Sequence, residues 1–209
     1  MRRLLPFLLC LLCASPCWAE ITNASLTSGT STTDATSVDT ASITPTGNVL
    51  QLAAITNTKA TAPDTPTLSG NGITWTQIAT GVVDNASTRI TLFRGMVASP
   101  SPGAVTLDFA GATQTGFAWS ISEFSSVDTS GTNGSGAIVQ SATNFPGTKT
   151  SSLTVTLAAF GDATNNAPFG FFGLNSAAIA ITNEAGYTEI HDLNFATPST
   201  SMETEWKVG

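Results

Sequence analysis

Large apolar side chains alternate with small or polar ones along much of this chain. Residues 105–109, 117–121 and 153–157 each place three large apolar side chains at every second position, with Thr, Ser, Ala or Asp between them. A period of two is that of a β-strand with one buried and one wet face, and Thr, Val, Ile and Phe favour strands. The pattern predicts an all-β protein with these segments as core strands.

Turn signals divide the chain into many short strands. Asn71-Gly72 is typical of a tight turn because both residues tolerate a positive φ, and the Ser and Pro residues of 99–103 mark a second break. Further strands are predicted at 37–44, 49–57, 73–83, 88–97, 136–143, 168–176, 186–195 and 200–208. These are too many for one open sheet, so we expect a two-sheet antiparallel sandwich, jelly-roll-like, with a closed barrel as the alternative.

The first nineteen residues have the features of an export signal. Arg2 and Arg3 precede an apolar run from Leu4 to Leu12, and the segment ends at Ala19 with small residues where a signal peptidase reads. The run is too short to span a bilayer, and no later segment is long and apolar enough. We expect cleavage after Ala19 and a secreted or periplasmic protein.

All cysteines of the chain, at positions 10, 13 and 17, fall inside that signal. The mature chain therefore has no disulfide and must be stabilised by burial alone. We expect a polar lead-in at 20–36 and a single sandwich domain at 37–209. The last alternating segment stops without a polar tail, so we expect the natural domain to continue beyond Gly209.

The charge balance limits the partners. The formal charge is −7 for the whole chain and becomes −9 once Arg2 and Arg3 are removed with the signal. Nucleic acid is excluded as an expected partner because phosphate binding needs clustered Lys and Arg, and anionic membrane surfaces are disfavoured for the same reason. Only 10% of the residues are charged, and the Thr, Ser, Asn and Gln that supply the remaining polarity suit a neutral glycan or surface polymer.

A resemblance to a known kind of domain accompanies this pattern. It rests on Ser69-Gly-Asn-Gly-Ile-Thr-Trp-Thr76, Arg89-Ile-Thr-Leu-Phe-Arg94, Gly103-Ala-Val-Thr-Leu-Asp-Phe109 and Ala118-Trp-Ser-Ile-Ser-Glu-Phe-Ser-Ser-Val127. In this order the segments resemble a recurrent β-sandwich module of bacterial exported and prophage-encoded proteins, which has no established activity. The resemblance implies the sandwich fold. It implies no function, because the matching residues belong to cores and turns.

His191 is the only histidine and the first residue to weigh as a catalytic base. Glu189 and Asp192 stand beside it, but in a regular strand Asp192 points to the opposite face, and no Gly-x-Ser-x-Gly nucleophile elbow is present. We therefore interpret His191 as a surface histidine on a solvated strand, and we predict no catalytic residue.

Glu203 and Glu205 are the second candidate, because two carboxyl groups on one strand face have a spacing that glycoside hydrolysis can use. The same parity is expected of any strand that buries Trp206 and exposes its charges, which is the simpler interpretation.

Glu123 continues the buried face of Phe117, Trp119 and Ile121, where a carboxylate needs a partner. We expect Arg94 to supply it in a structural ion pair.

The loop 128–135 carries oxygen ligands at alternate positions, in Asp128, Ser130 and Thr132, with Asn133 beside them. The spacing is weakly similar to that of calcium-binding loops. The loop contains one carboxylate and no closing glutamate, so a plain turn is the simpler interpretation. These four residues are kept as weak ligand-binding candidates, and no metal or cofactor is predicted.

Together these features indicate an exported, non-catalytic recognition or structural module, with carbohydrate or cell-surface binding as its use. Two alternatives stay open. One is a glycan-active hydrolase that uses carboxylates, and the other is an assembly subunit that oligomerises through an open edge strand.

Overall fold

A computed structural model of the chain describes residues 19–83, 87–146, 152–161, 165–176 and 179–208. Residues 1–18, which include the three cysteines and all but the last residue of the export signal predicted at 1–19, lie outside these ranges. Eleven β-strands form the described part: β1 Thr22–Ser31, β2 Ser37–Asp39, β3 Leu50–Thr58, β4 Thr67–Ser69, β5 Thr76–Val83, β6 Thr88–Gly95, β7 Thr106–Asp108, β8 Gly116–Ser125, β9 Phe169–Leu174, β10 Thr188–Phe195 and β11 Thr200–Trp206. No helix in these ranges is long and apolar enough to cross a membrane.

The strands form three antiparallel sheets. The largest has the order β1-β8-β3-β6-β5, and the two smaller ones have the orders β10-β11-β9 and β2-β7-β4. The all-β antiparallel prediction is confirmed, and the face-to-face sheets are consistent with a β-sandwich. The structure adds a third sheet, so that the five-stranded sheet is covered on both faces.

One face of the five-stranded sheet carries the main core. Ile55, Phe117 and Ile121 project from it and pack against Leu107 of β7, with Val38 and Leu68 from the neighbouring short strands closing the cluster. The predicted alternation at 105–109 and 117–121 is thereby explained, since the odd-numbered side chains of both segments meet here. Ile55, Leu107, Phe117 and Ile121 are each fully buried.

The opposite face of the same sheet packs against β10-β11-β9. Ala54 and Ala118 meet Met202, Phe171 and Leu193 there. A second cluster on this side joins Leu50, Leu52 and Phe124 to Trp206 and Phe169. All nine residues of β3 are consequently buried.

The core strand predicted at 153–157 is wrong, and so is the strand predicted at 136–143. Neither segment forms a strand, and Leu153 and Val155 are 36% and 39% exposed. Both faces of the central sheet are already covered, so the alternating apolar side chains of 153–157 have no buried face to occupy.

The tight turn predicted at Asn71-Gly72 is confirmed. Both residues have positive φ, 59° and 67°, and the Ile73 amide donates to the Gly70 carbonyl at 3.1 Å. These are the features of a two-residue turn that Asn and Gly form with little strain.

Candidate functional site

A cleft of about 380 Å³ opens at one end of the five-stranded sheet. It lies where β1 and β3 end and where β6 and β8 begin, and the turn between β10 and β11 closes one side. Its hydroxyl-bearing residues are Thr32, Thr58, Ser87, Thr88, Thr115, Thr197 and Ser199. Asp34 and Lys59 are its charged residues. The exposed surface of the lining is mostly apolar, with neutral hydrogen-bonding groups and one charge of each sign set into it.

Buried amides hold the floor of this cleft in place. The Gln114 side chain is fully buried, donates to Asp64 Oδ2 at 2.8 Å and accepts from Asn57 Nδ2 at 2.8 Å. Asp64 Oδ2 also accepts from Lys59 Nζ at 2.8 Å. The hydrogen bonds from Lys59 and Gln114 lower the pKa of Asp64. The Lys59 ammonium is thus held at the cleft by a partly exposed ion pair, whose carboxylate is in turn positioned by the buried Gln114.

His191 does not lie on a solvated face. A β-bulge between Glu189 and His191 turns the imidazole inward, toward the five-stranded sheet. Its Nδ1 lies 2.8 Å from Ser120 Oγ and its Nε2 lies 3.0 Å from Ser25 Oγ. Burial lowers the pKa of His191. The interpretation of His191 as a surface histidine is therefore wrong, because a bulge shifts the strand parity and leaves no mark in the sequence.

Glu203 and Glu205 share the outer face of β11, as predicted, but both are buried. Glu203 is 0% and Glu205 is 2% exposed. In the ladder with β10, Asp192 stands opposite Glu203 and Glu189 opposite Glu205, so four carboxyl groups lie together. Burial and the charges of Glu205, Glu189 and Asp192 raise the pKa of Glu203 to about 7.

The chain between β9 and β10 covers these carboxylates. Ile179 N donates to Ser201 Oγ at 3.2 Å, and Glu184 N donates to Glu205 Oε2 at 2.8 Å. Within the described part of the chain, neither oxygen of Glu203 has a hydrogen-bond partner. Glu203 and Glu205 are absent from the lining of the cleft. Among the described residues, no group of three or more His, Cys, Asp or Glu side chains is arranged to hold a metal ion.

The loop 128–135 satisfies its own polar groups. Asp128 Oδ1 accepts from the Ser130 amide at 2.7 Å, and this hydrogen bond lowers the pKa of the Asp128 carboxyl. Ser135 Oγ accepts from the Thr132 amide at 3.0 Å, and Asn133 Nδ2 donates to Thr76 Oγ1 at 3.4 Å. The arrangement is that of an Asx turn.

The ion pair predicted between Arg94 and Glu123 is not formed. In the strand ladders Arg94 stands opposite Leu52 and Glu123 opposite Gln51, and adjacent residues of β3 face opposite sides of the sheet. Glu123 instead accepts from the amide and the hydroxyl of Thr46, at 2.9 and 2.8 Å. The prediction assumed a single core, whereas this sheet is covered on both faces.

No protein-family model, curated protein or solved structure gives a significant match to the chain. The resemblance to a bacterial exported and prophage-encoded sandwich module accordingly stays a prediction.

Proposed function

We propose that this chain is an exported recognition module that binds a neutral, hydroxyl-rich ligand such as a glycan in the cleft beside Lys59, a site with no catalytic role. The lining of the cleft is the observation that carries the proposal. Seven of its residues carry hydroxyl groups, of which that of Thr88 is buried, and Asn175 adds an amide. Neutral donors and acceptors of this kind match sugar hydroxyls, and a site with few charges does not select an ionic ligand.

Rigid support strengthens the proposal. Lys59 is held by Asp64 at 2.8 Å, and Asn175 Nδ2 donates to Ser87 Oγ at 2.5 Å across the cleft. A binding site whose polar groups are already positioned loses less entropy when a ligand is bound.

The test is a glycan array with an insoluble-polysaccharide pull-down, using residues 20–209. Thr32 and Thr33 are adjacent and both exposed, but only Thr32 lines the cleft. Thr32→Glu fills part of the cleft and is expected to weaken binding about tenfold, whereas Thr33→Glu adds the same charge outside it and is expected to bind like the wild type. Equal binding by both variants, or no binding by the folded wild type, would count against the proposal.

A second candidate function is an assembly subunit, which the strand order favours. β1 has ten residues and, among the strands that the structure describes, pairs with β8 alone, so its other edge can accept a strand from a second copy. Sedimentation of residues 20–209 at increasing concentration would distinguish the two. A concentration-dependent oligomer that Ser28→Pro abolishes supports assembly, and a monomer at all concentrations opposes it.

A further inference from the structure

We propose that Ser25 is a nucleophilic serine that accepts an acyl group from carboxylic esters, with His191 as its base and Ser120 and Thr204 as positioning residues. Ser25 lies on the exposed part of β1, where a small ester can reach it. Its Oγ lies 3.0 Å from His191 Nε2. This is the hydrogen-bond distance that an activated serine requires of its base.

The imidazole is oriented from its other nitrogen. Nδ1 lies 2.8 Å from Ser120 Oγ, and that hydroxyl lies 2.9 Å from Thr204 Oγ1. Ser120 is 2% exposed and Thr204 is fully buried, so neither hydroxyl exchanges its partner for water. Nucleophile, base and orienting group thus follow the order that defines serine acyl-transfer sites, with a hydroxyl in the position that a carboxylate occupies elsewhere.

Two β-bulges bring these residues together. The β1 register shifts between Ser25 and Thr27, and the β10 register shifts between Glu189 and His191. Bulges re-aim side chains and recur next to active sites. The second bulge places Glu189 and Asp192 on the face of the β10-β11-β9 sheet that carries Glu203, away from the imidazole. Burial lowers the pKa of His191 as well, so the ring is neutral and free to accept a proton at neutral pH.

The reaction is an acyl transfer. The Ser25 hydroxyl proton passes to His191 Nε2 while Oγ forms a bond to the ester carbonyl carbon. The bond from that carbon to the leaving oxygen then breaks, and the proton on Nε2 passes to the leaving oxygen. The products are acyl-Ser25 and an alcohol. Water attack on the acyl group would release the carboxylic acid and restore Ser25.

This site is separate from the proposed glycan cleft. Ser25 stands seven residues before Thr32, which is about 20 Å along an extended strand. The two proposals therefore fail independently, since loss of glycan binding leaves the Ser25–His191 pair intact.

The probe is p-nitrophenyl acetate, an ester with a good leaving group that needs little stabilisation of the oxyanion. The folded chain 20–209 is incubated with it at neutral pH, and acetylation is located by peptide mass spectrometry. Ser28 is the internal control, because it is an exposed serine of β1, while the two ring nitrogens of His191, the single histidine of the sequence, lie against Ser25 and Ser120. We expect Ser25 to be acetylated roughly 100-fold faster than Ser28, the scale of general-base assistance. Equal rates at the two serines in the wild-type chain would overturn the proposal, and this comparison requires no variant to fold.

Variants separate chemistry from structure. His191→Gln is expected to reduce the Ser25 rate to that of Ser28, whereas Ser28→Ala leaves the Ser25 rate unchanged. Ser120→Ala is expected to reduce the rate by a smaller factor, because it removes only the orientation of the ring. A His191→Gln protein that folds, by circular dichroism, and still acetylates Ser25 at the wild-type rate would show that the imidazole plays no part.

Discussion

Replacing Glu203 by Gln should make the protein less sensitive to alkaline pH. Glu203 is fully buried, its oxygens have no hydrogen-bond partner among the residues that the structure describes, and three other carboxyl groups lie near it. A glutamine keeps the shape of the protonated acid but cannot ionise. The substitution therefore isolates the cost of placing a charge at this position.

The magnitude follows from the pKa. Glu203 has an ordinary pKa of 4.5, which is raised to about 7 in the folded protein. The folded state therefore holds a proton that the unfolded state has lost between these two values. At about 1.36 kcal/mol per pKa unit, the stabilisation is fully present below pH 4.5 and about 3 kcal/mol of it is lost once the pH has risen through 7.

Urea unfolding of residues 20–209 between about pH 5 and pH 8 measures this difference. The free energy of unfolding of the wild type should fall over that range by up to about 3 kcal/mol more than that of Glu203→Gln. Burial also raises the pKa of Asp192 and Glu205, so a shallower slope should remain in the variant. Glu189→Gln, an exposed change on the same face, is the control and should keep most of the wild-type slope. Parallel curves for wild type and Glu203→Gln would refute the reasoning.

Two further predictions test the fold. Gln114→Leu should lower the free energy of unfolding by about 2–3 kcal/mol in urea titrations, because Asp64 and Asn57 lose a buried hydrogen-bond partner. Gln77→Leu, at an exposed position, should change that free energy by less than about 0.5 kcal/mol. Equal effects of the two substitutions would contradict a stabilising role for the buried Gln114. Leu107→Ala should cost about 3 kcal/mol and Leu153→Ala less than about 1 kcal/mol, and a large cost at Leu153 would restore the core strand that the sequence predicts there.

The sequence predicts where the strands of this fold lie better than it predicts which strands and sheets pack against them. Alternation identifies 105–109 and 117–121 because each segment presents one apolar face, and Asn71-Gly72 identifies a turn because φ is a local property. Segment 153–157 alternates just as regularly but is not a strand, because a strand also needs a partner strand with an unpaired edge and a sheet face that is not yet covered. Alternation indicates which side chains could be buried, but it does not indicate whether a second sheet packs over them.

The candidate site divides in the same way. The shared face of Glu203 and Glu205 could be predicted, since parity is local, but their burial depends on the covering chain that bonds Ser201 and Glu205 from between β9 and β10. The orientation of His191 depends on a bulge. The hydroxyl-lined cleft could not be predicted, because Thr and Ser occur throughout the chain and only strand order brings these particular ones together.

The strand order also dictates when the protein can fold during synthesis. β1 is synthesised early, but among the described strands it pairs with β8 alone, so Thr22 must wait for Ser125, 103 residues later in the chain. Until then its backbone donors and acceptors are unpaired. Most residues of β1 are Thr, Ser, Asn or Gly, which keep the unpaired strand hydrated and disfavour its aggregation. The polar composition of this strand can thus be understood as protection of a nascent chain whose first strand must wait for its eighth.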